Sequence, residues 1–286
     1  MKLWVLLLVN TISLGGLLFL LSVGFSLVFG LMRIPNLTHG AMFMLGGYIG
    51  TSYLALGLGF WPAAILAGLS VAVIGALIER LLLRRLAGSE LAQVLVTLGL
   101  SLMVADLSLM VWGGDPVSVA VPQALQGAVH VGDYNLAIYR LSIVAIAMIV
   151  AVAIWLIIDK TRIGAMIRAG VDDIAMARVT GIRVSLLFSL VFAVGAGLAG
   201  FAGVIGAPVF TVYPGLDNDM LPLALVVVII GGIGSLPGSV AGSFLVAFLN
   251  NFGQAYFPEL AYVVLFLPML LILLVRPQGL FGRVSL

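Results

Sequence analysis

The sequence predicts an all-α, polytopic membrane helix bundle with eight or nine transmembrane spans. Of its 286 residues, 63% are hydrophobic and 8% are charged, whereas a soluble domain carries about 25% charged residues. The charges are clustered and leave uncharged runs at 3–32, 34–78, 184–216 and 220–258. About 20 apolar residues cross a bilayer as a helix, so each run holds one span, or two spans joined by a turn.

Glycine, proline and polar breaks divide these runs, because helices buried in lipid and protein are apolar on all sides and show no period. The first run continues to Met32 without a cleavage pattern of small residues, so we interpret it as a retained span. The predicted helices, in order, are 4–31, 41–57, 62–83, 91–112, 140–158, 186–206, 222–232, 238–251 and 260–275.

The seventh and eighth predicted helices are short, and the sequence GGIGSLPGS joins them. Pro237 and its flanking glycines break any helix there. We therefore expect short or re-entrant segments near 222–251. The turn is expected either at the membrane surface or inside the membrane, where irregular backbone is tolerated only beside protein or water. The whole chain, 1–286, is expected to form a single transmembrane domain.

Basic residues predict the orientation. They cluster in loops 79–90 and 159–185 and in the tail 276–283, whereas loops 113–139 and 207–221 contain aspartates and neither Lys nor Arg. The positive-inside rule assigns the first group to the cytoplasm. With nine helices the N-terminus is outside and the C-terminus is cytoplasmic, and Lys2 is a mild exception.

Several classes of chemistry lack their motifs. The chain has only two lysines, Lys2 and Lys160, and neither ends a glycine-rich phosphate loop, so it is not expected to hydrolyse ATP by that route. Two histidines and no cysteine make a metal site unexpected, and we predict no cofactor. No nucleophile–base or metal-binding constellation supports an intramembrane enzyme.

Residues 164–182 are the most polar long stretch of the chain. We expect a cytoplasmic surface helix near 172–181. Asp172 or Asp173 can cap its N-terminus, and Gly181 stands where a helix often ends. From composition alone, a solvated connector and a docking surface for a soluble partner are equally supported.

This stretch resembles the cytoplasmic coupling loop of the permeases of branched-chain amino acid ATP-binding-cassette (ABC) importers. Three further stretches resemble signatures of that family in the same order: NLTHGAMFMLGGY at 36–48, GGIGSLPGSVAG at 231–242 and RPQGLFGR at 276–283. The residues that match the coupling loop are Arg168, Ala169, Asp172 or Asp173, Ala177, Gly181 and Ile182.

The resemblance implies a multi-pass subunit of the bacterial inner membrane, of the kind usually written first of the permease pair. It would work with a second homologous permease, two cytoplasmic ATPases and an external or periplasmic solute-binding protein. Its matching loop residues would couple ATPase closure to alternating access. Branched-chain or related amino acids are the implied substrates. The sequence alone does not identify the solute, and it does not distinguish a heterodimeric from a homodimeric permease pair.

A second group of residues is expected along the translocation path. Its members are Asn36, His39, Asp106, Gly231, Gly232 and Gly234. Each also has a structural interpretation: helix capping for Asn36, a hydrogen bond to a neighbouring loop for His39, packing for the glycines, and a hydrogen-bonded or protonated carboxyl for Asp106. Asp106 is the only charged residue well inside a predicted span. Metal ligands are not expected among them.

The external segment 207–221 offers Tyr213, Asp217, Asn218 and Asp219. Docking of a binding protein and simple solvation are equally supported for it. The alternative function is a stand-alone secondary transporter of a small organic solute. Proton- and sodium-driven transporters usually keep carboxylates at membrane depth, and the scarcity of such residues disfavours this alternative.

Overall fold

The computed structural model of the chain describes residues 2–32, 36–86, 88–131 and 134–282. Arg33, Asp133 and Arg283, which entered the charge pattern above, lie outside these residues. The described part forms eleven α-helices: α1 Lys2–Met32, α2 His39–Ala55, α3 Phe60–Leu81, α4 Glu90–Trp112, α5 Ile138–Lys160, α6 Arg162–Asp172, α7 Ile174–Val179, α8 Val184–Gly206, α9 Leu216–Gly231, α10 Leu236–Tyr256 and α11 Ala261–Val275.

Nine of these helices correspond to the nine predicted ones. Six segments of the described residues are long and apolar enough to cross a membrane. They contain α1, α3, α4, α5, α8 and α11. The chain is thus a multi-pass helical bundle, and the count of eight or nine spans stays a prediction that depends on α2, α9 and α10.

Helix α8 forms the centre of the bundle, because α1, α2 and α3 all pack on it. Each contact places glycine against glycine. A Cβ atom at Gly24 of α1 would stand 2.6 Å from the carbonyl oxygen of Gly195, and one at Gly46 of α2 would collide with the backbone of Gly200. Small residues let helix backbones approach closely in a membrane. Close packing therefore accounts for these glycines.

Helix α2 begins inside the bundle. The Nε2 atom of His39, its first residue, lies 2.9 Å from the carbonyl oxygen of Leu21. Leu21 precedes the end of α1 by eleven residues, or about 16 Å at 1.5 Å per residue. The start of α2 therefore lies beside Leu21, well away from the end of α1, and protein buries the side chains of Asn36, Thr38 and His39 there.

The α9–α10 connection is tightly packed. Gly232 and Gly234 have positive φ angles of 100° and 73°. The tail caps α9: the N–H groups of Leu280 and Phe281 donate to the carbonyls of Ile230 and Gly231 at 2.8 and 3.0 Å. Helices α9 and α10 are both longer than predicted, at 16 and 21 residues. The turn lies beside the C-terminal end of α1, because a Cβ at Gly30 would meet Gly234 at 2.6 Å.

The segment between α4 and α5 contains structure that the sequence did not predict. Strands β1 Ala128–Val131 and β2 Tyr134–Ala137 pair antiparallel. An isolated bridge joins Val117 to Val212, which ties this segment to the connection between α8 and α9. Both connections are therefore ordered at the same end of the bundle.

Candidate functional site

The coupling segment, residues 162–183, forms two helices instead of one. Helix α6 starts where the Thr161 hydroxyl accepts a hydrogen bond from the Gly164 N–H at 3.3 Å. Arg168 holds α6 against the end of α5: its guanidinium donates to the carbonyl of Ile158 and lies 3.7 Å from a carboxylate oxygen of Asp159. The Arg168 and Asp159 side chains are 37% and 49% exposed, so this ion pair contributes little to stability and mainly orients α6.

Asp173 separates the two helices. Its backbone is extended, with φ −151° and ψ 107°, and it caps both the end of α6 and the start of α7. Its Oδ1 atom accepts a hydrogen bond from the Met176 N–H at 3.0 Å, which satisfies one of the unpaired N–H groups of a helix start. The capping prediction is confirmed, and Asp173 fills the role. The side chain of Asp172 is outside the described part.

The end of α7 also agrees with the sequence. Gly181 follows the last helical turn with φ 86°, a conformation that favours glycine. The Ile182 N–H then closes the turn on the carbonyl of Ala177 at 3.1 Å. Ala169 and Ile182 are half-buried.

Helix α7 presents two different faces. Ala177 is only 3% exposed and faces the junction with α6 and α8. Met176 and Val179 are 61% and 83% exposed, and Arg178 is exposed beside them. The exposed face thus carries two apolar side chains next to a cation. The small size of Ala177 has a structural explanation within this chain.

The predicted path residues do not form one group. Asn36 and His39 lie together at the buried start of α2. The Asn36 Oδ1 atom accepts from the Thr38 N–H at 3.2 Å and from the Thr38 hydroxyl at 2.6 Å. His39 bonds to the α1 backbone instead of a loop, and its Nδ1 atom has no partner in the described part of the chain.

Gly231, Gly232 and Gly234 lie at the α9–α10 turn, where packing accounts for them. A Cβ at Gly232 would meet the backbone nitrogen of Gly282 at 2.5 Å. Asp106 lies apart from both groups, on the exposed face of α4. A role on the path for any of the six residues stays a prediction.

Two buried carboxylates were missed by the sequence interpretation. Glu79, in the last turn of α3, is 1% exposed and accepts a hydrogen bond from the Ser189 hydroxyl on α8. Asp217, in the first turn of α9, is 4% exposed. Asp217 is therefore not available to a docking protein, contrary to the docking interpretation of segment 207–221. Helix α9 starts early enough to carry this residue into the bundle. Asn218 and Asp219 are exposed.

A cavity of about 600 Å³ opens at the end of the bundle opposite the coupling segment. It lies where α1, α5, α9 and α11 begin and α10 ends. The coupling segment lies at the other end of the bundle, because it joins the end of α5 to the start of α8. The polar side chains that line the cavity are Asn10, Ser13, Arg140, Tyr213, Asn218, Asp219, Asn250, Asn251, Gln254 and Tyr262.

Within this wall, the Tyr213 hydroxyl donates a hydrogen bond to Asp219. That bond, with burial and the negative charge of Asp219, raises the pKa of Tyr213 to about 12. Tyr213 is thus a neutral donor at physiological pH, and it fixes the orientation of the Asp219 carboxylate. Apolar residues of α1, α5, α9, α11 and the α8–α9 connection line the rest, including Leu14, Ile143 and Leu265. No single stretch of sequence contains this set.

Comparisons with known proteins agree with the membrane architecture. Residues 7–273 match the family described as branched-chain amino acid transport system permease component. The chain is 29% identical to the high-affinity branched-chain amino acid transport system permease protein BraD of Pseudomonas aeruginosa, covering 96% of this chain and 95% of BraD. It is 28% identical to LivH of Escherichia coli K12, a permease of the same description, over 96% and 94% of the two chains. The ribose import permease RbsC of Haemophilus influenzae is 24% identical over 81% and 72%.

Proposed function

The chain belongs to the family of branched-chain amino acid transport system permease components, and on that premise we propose that it is a membrane-spanning subunit of an ABC importer. It carries branched-chain or related amino acids across a bacterial inner membrane by alternating access. Two cytoplasmic ATPases supply the energy, an external solute-binding protein delivers the solute, and a second homologous permease completes the path. The match of the family to residues 7–273 carries this proposal.

The coupling segment supports the ATPase partnership. It follows Lys160 and contains Arg162, Arg168, Arg178 and Arg183, which favours the cytoplasmic side. In our proposal the exposed Met176 and Val179 enter a groove on the ATPase. Asp173 and Gly181 fix the ends of α7, while Ala177 lets it pack on α6 and α8. Movement of the ATPase would then reach α5 and α8 through Arg168 and Ile182.

The surface of α4 supports pairing with a second permease. Asp106 lies on a face that also exposes Met103, Leu107 and Met110 at 59%, 55% and 81%. A carboxylate facing hydrocarbon costs several kcal/mol. A neighbouring subunit that brings polar groups to Asp106 would remove this cost, and it would cover the apolar side chains around it.

The test is ATP-dependent uptake of leucine by proteoliposomes that contain the chain with its ATPase, second permease and binding protein. We expect uptake only when ATP is inside with the ATPases and the binding protein is outside. The chain alone should neither hydrolyse ATP nor move leucine. Uptake by the chain alone, driven by a proton or sodium gradient, would reject the proposal in favour of a secondary transporter.

A further inference from the structure

The cavity at the ends of α1, α5, α9, α10 and α11 has residues of opposite charge in its lining. Arg140 lies in the first turn of α5, and Asp219 lies in the first turn of α9. Among the described residues, neither side chain forms an ion pair within 4 Å. Their charges are therefore not neutralised by each other in this part of the chain.

We propose that this cavity binds a zwitterionic α-amino acid with an aliphatic side chain, with Arg140 receiving its carboxylate and Asp219 its ammonium group. The proposal deepens the proposed function and rests on it, because it assigns the solute a binding site on this subunit. A cavity of about 600 Å³ is within the usual size of small-molecule sites, roughly 300–1,000 Å³.

The polar side chains of the lining suit both ends of such a ligand. Arg140 offers several N–H donors in a geometry that matches a carboxylate. The hydrogen bond from Tyr213 occupies Oδ2 of Asp219, which leaves Oδ1 to accept from an ammonium group. Asn250 and Gln254, which are joined by a hydrogen bond of 3.3 Å, add amide groups that donate and accept.

The apolar residues of the lining suit the side chain of the ligand. Leu14 and Leu17 come from α1, Ile143 comes from α5, and Leu265 and Phe266 come from α11. Apolar linings with a few placed polar groups are typical of sites that select a ligand by one charged end and one apolar end. A fatty acid would leave Asp219 uncompensated, and an alkylamine would leave Arg140 uncompensated. A zwitterion supplies a counter-charge to both residues, so it is favoured.

Cysteine protection tests the site directly. The chain has no cysteine, so Ala261→Cys, in the cavity wall, gives this chain a single reporter, whose labelling in the assembled importer is read on this chain after the subunits are separated. Leucine should slow its reaction with a thiol reagent, and leucinamide, which lacks the carboxylate, should protect about tenfold more weakly, as expected for one lost charge-assisted hydrogen bond. Ser118→Cys, on an exposed segment outside the cavity, should show no protection.

Charge variants test the two assignments. Arg140→Gln should weaken leucine protection by about tenfold and remove the preference over leucinamide. Asp219→Asn should remove the preference of leucine over 4-methylpentanoate, which lacks the ammonium group. Arg85→Gln removes a charge from an exposed arginine near the end of α3 and should change neither preference. The comparison of leucine with leucinamide on Ala261→Cys alone stays informative if a charge variant fails to fold.

The outcomes separate the site from the function. ATP-dependent leucine uptake without protection of Ala261→Cys would overturn the site and leave the proposed function intact. Protection by leucine with the expected preferences, but without uptake by the assembled importer, would support the site and reject the proposed function. Equal protection by leucine, leucinamide and 4-methylpentanoate would overturn the assignment of Arg140 and Asp219.

Discussion

Truncation of Val179 tests whether α7 is the docking surface for the ATPase. Val179 is 83% exposed, so nearly all of its side chain is available for burial by a partner. Val179→Ala removes two methyl groups, each worth about 0.8 kcal/mol when buried. The sum, about 1.6 kcal/mol, corresponds to roughly tenfold weaker binding of the ATPase. Val179→Asp should weaken binding further, because docking would then bury a carboxylate.

The assay is binding of the purified ATPase to the permease in lipid nanodiscs, followed by leucine uptake with the complete importer. Val129→Ala is the matched control, since Val129 is a 43% exposed valine of strand β1 outside the coupling segment. Truncation of an exposed side chain changes the free energy of unfolding by only about 0.5 kcal/mol or less. Expression of Val179→Ala and Val129→Ala should therefore stay normal. Wild-type ATPase affinity in both Val179→Ala and Val179→Asp would refute the docking role of α7.

Ala177→Arg is a weaker probe of the same hypothesis. A large side chain is expected to block docking if Ala177 touches the ATPase. The structure buries Ala177 between α7 and its neighbours, so arginine there would disturb the coupling segment itself, as overpacking generally does. Loss of uptake in this variant would not distinguish the two causes, which is why the exposed face provides the decisive test.

Three further predictions follow from the packing and the topology. Ser118→Cys should react with impermeant thiol reagents in intact cells, and Val179→Cys should react only after the membrane is opened; the reverse pattern would invert the orientation. Gly46→Ala should lower the free energy of unfolding by about 1–3 kcal/mol or more, because its Cβ meets the α8 backbone. Gly99→Ala, with open space around it, should not lower it. Equal melting temperatures for the two variants would contradict the packing argument. Asp106→Leu should reduce co-purification of the second permease, measured by affinity pull-down, and unchanged recovery would count against the α4 interface.

The sequence predicted the bounds of several helices well and the burial of their first residues poorly. Helices α3, α4, α5 and α8 agree with prediction within two residues at each end, because glycine, proline and charged residues mark their ends. The sequence did not decide whether Asn36 and His39 are buried, since residues 36–38 look the same in a surface loop. Asp217 was assigned to a loop, and nothing local shows that α9 begins at Leu216 and buries one side of its first turn.

The functional residues divide in the same way. The ends of α7 were predictable, because Asp173 and Gly181 act on their own backbone neighbourhood. The cavity was not, because its lining comes from positions as distant in the chain as Asn10 and Phe266. Arg140 was not singled out from the sequence. Only tertiary packing shows that it and Asp219 line the same cavity.

The glycine contacts of α8 also limit how the molecule can move. Where backbone touches backbone, no side chain is present that could change rotamer and let one helix slide past the other. We therefore expect α1, α2, α3 and α8 to travel as one rigid block. Any opening and closing then has to occur at the border of that block, between it and peripheral helices such as α4 and α11, or between it and a partner subunit.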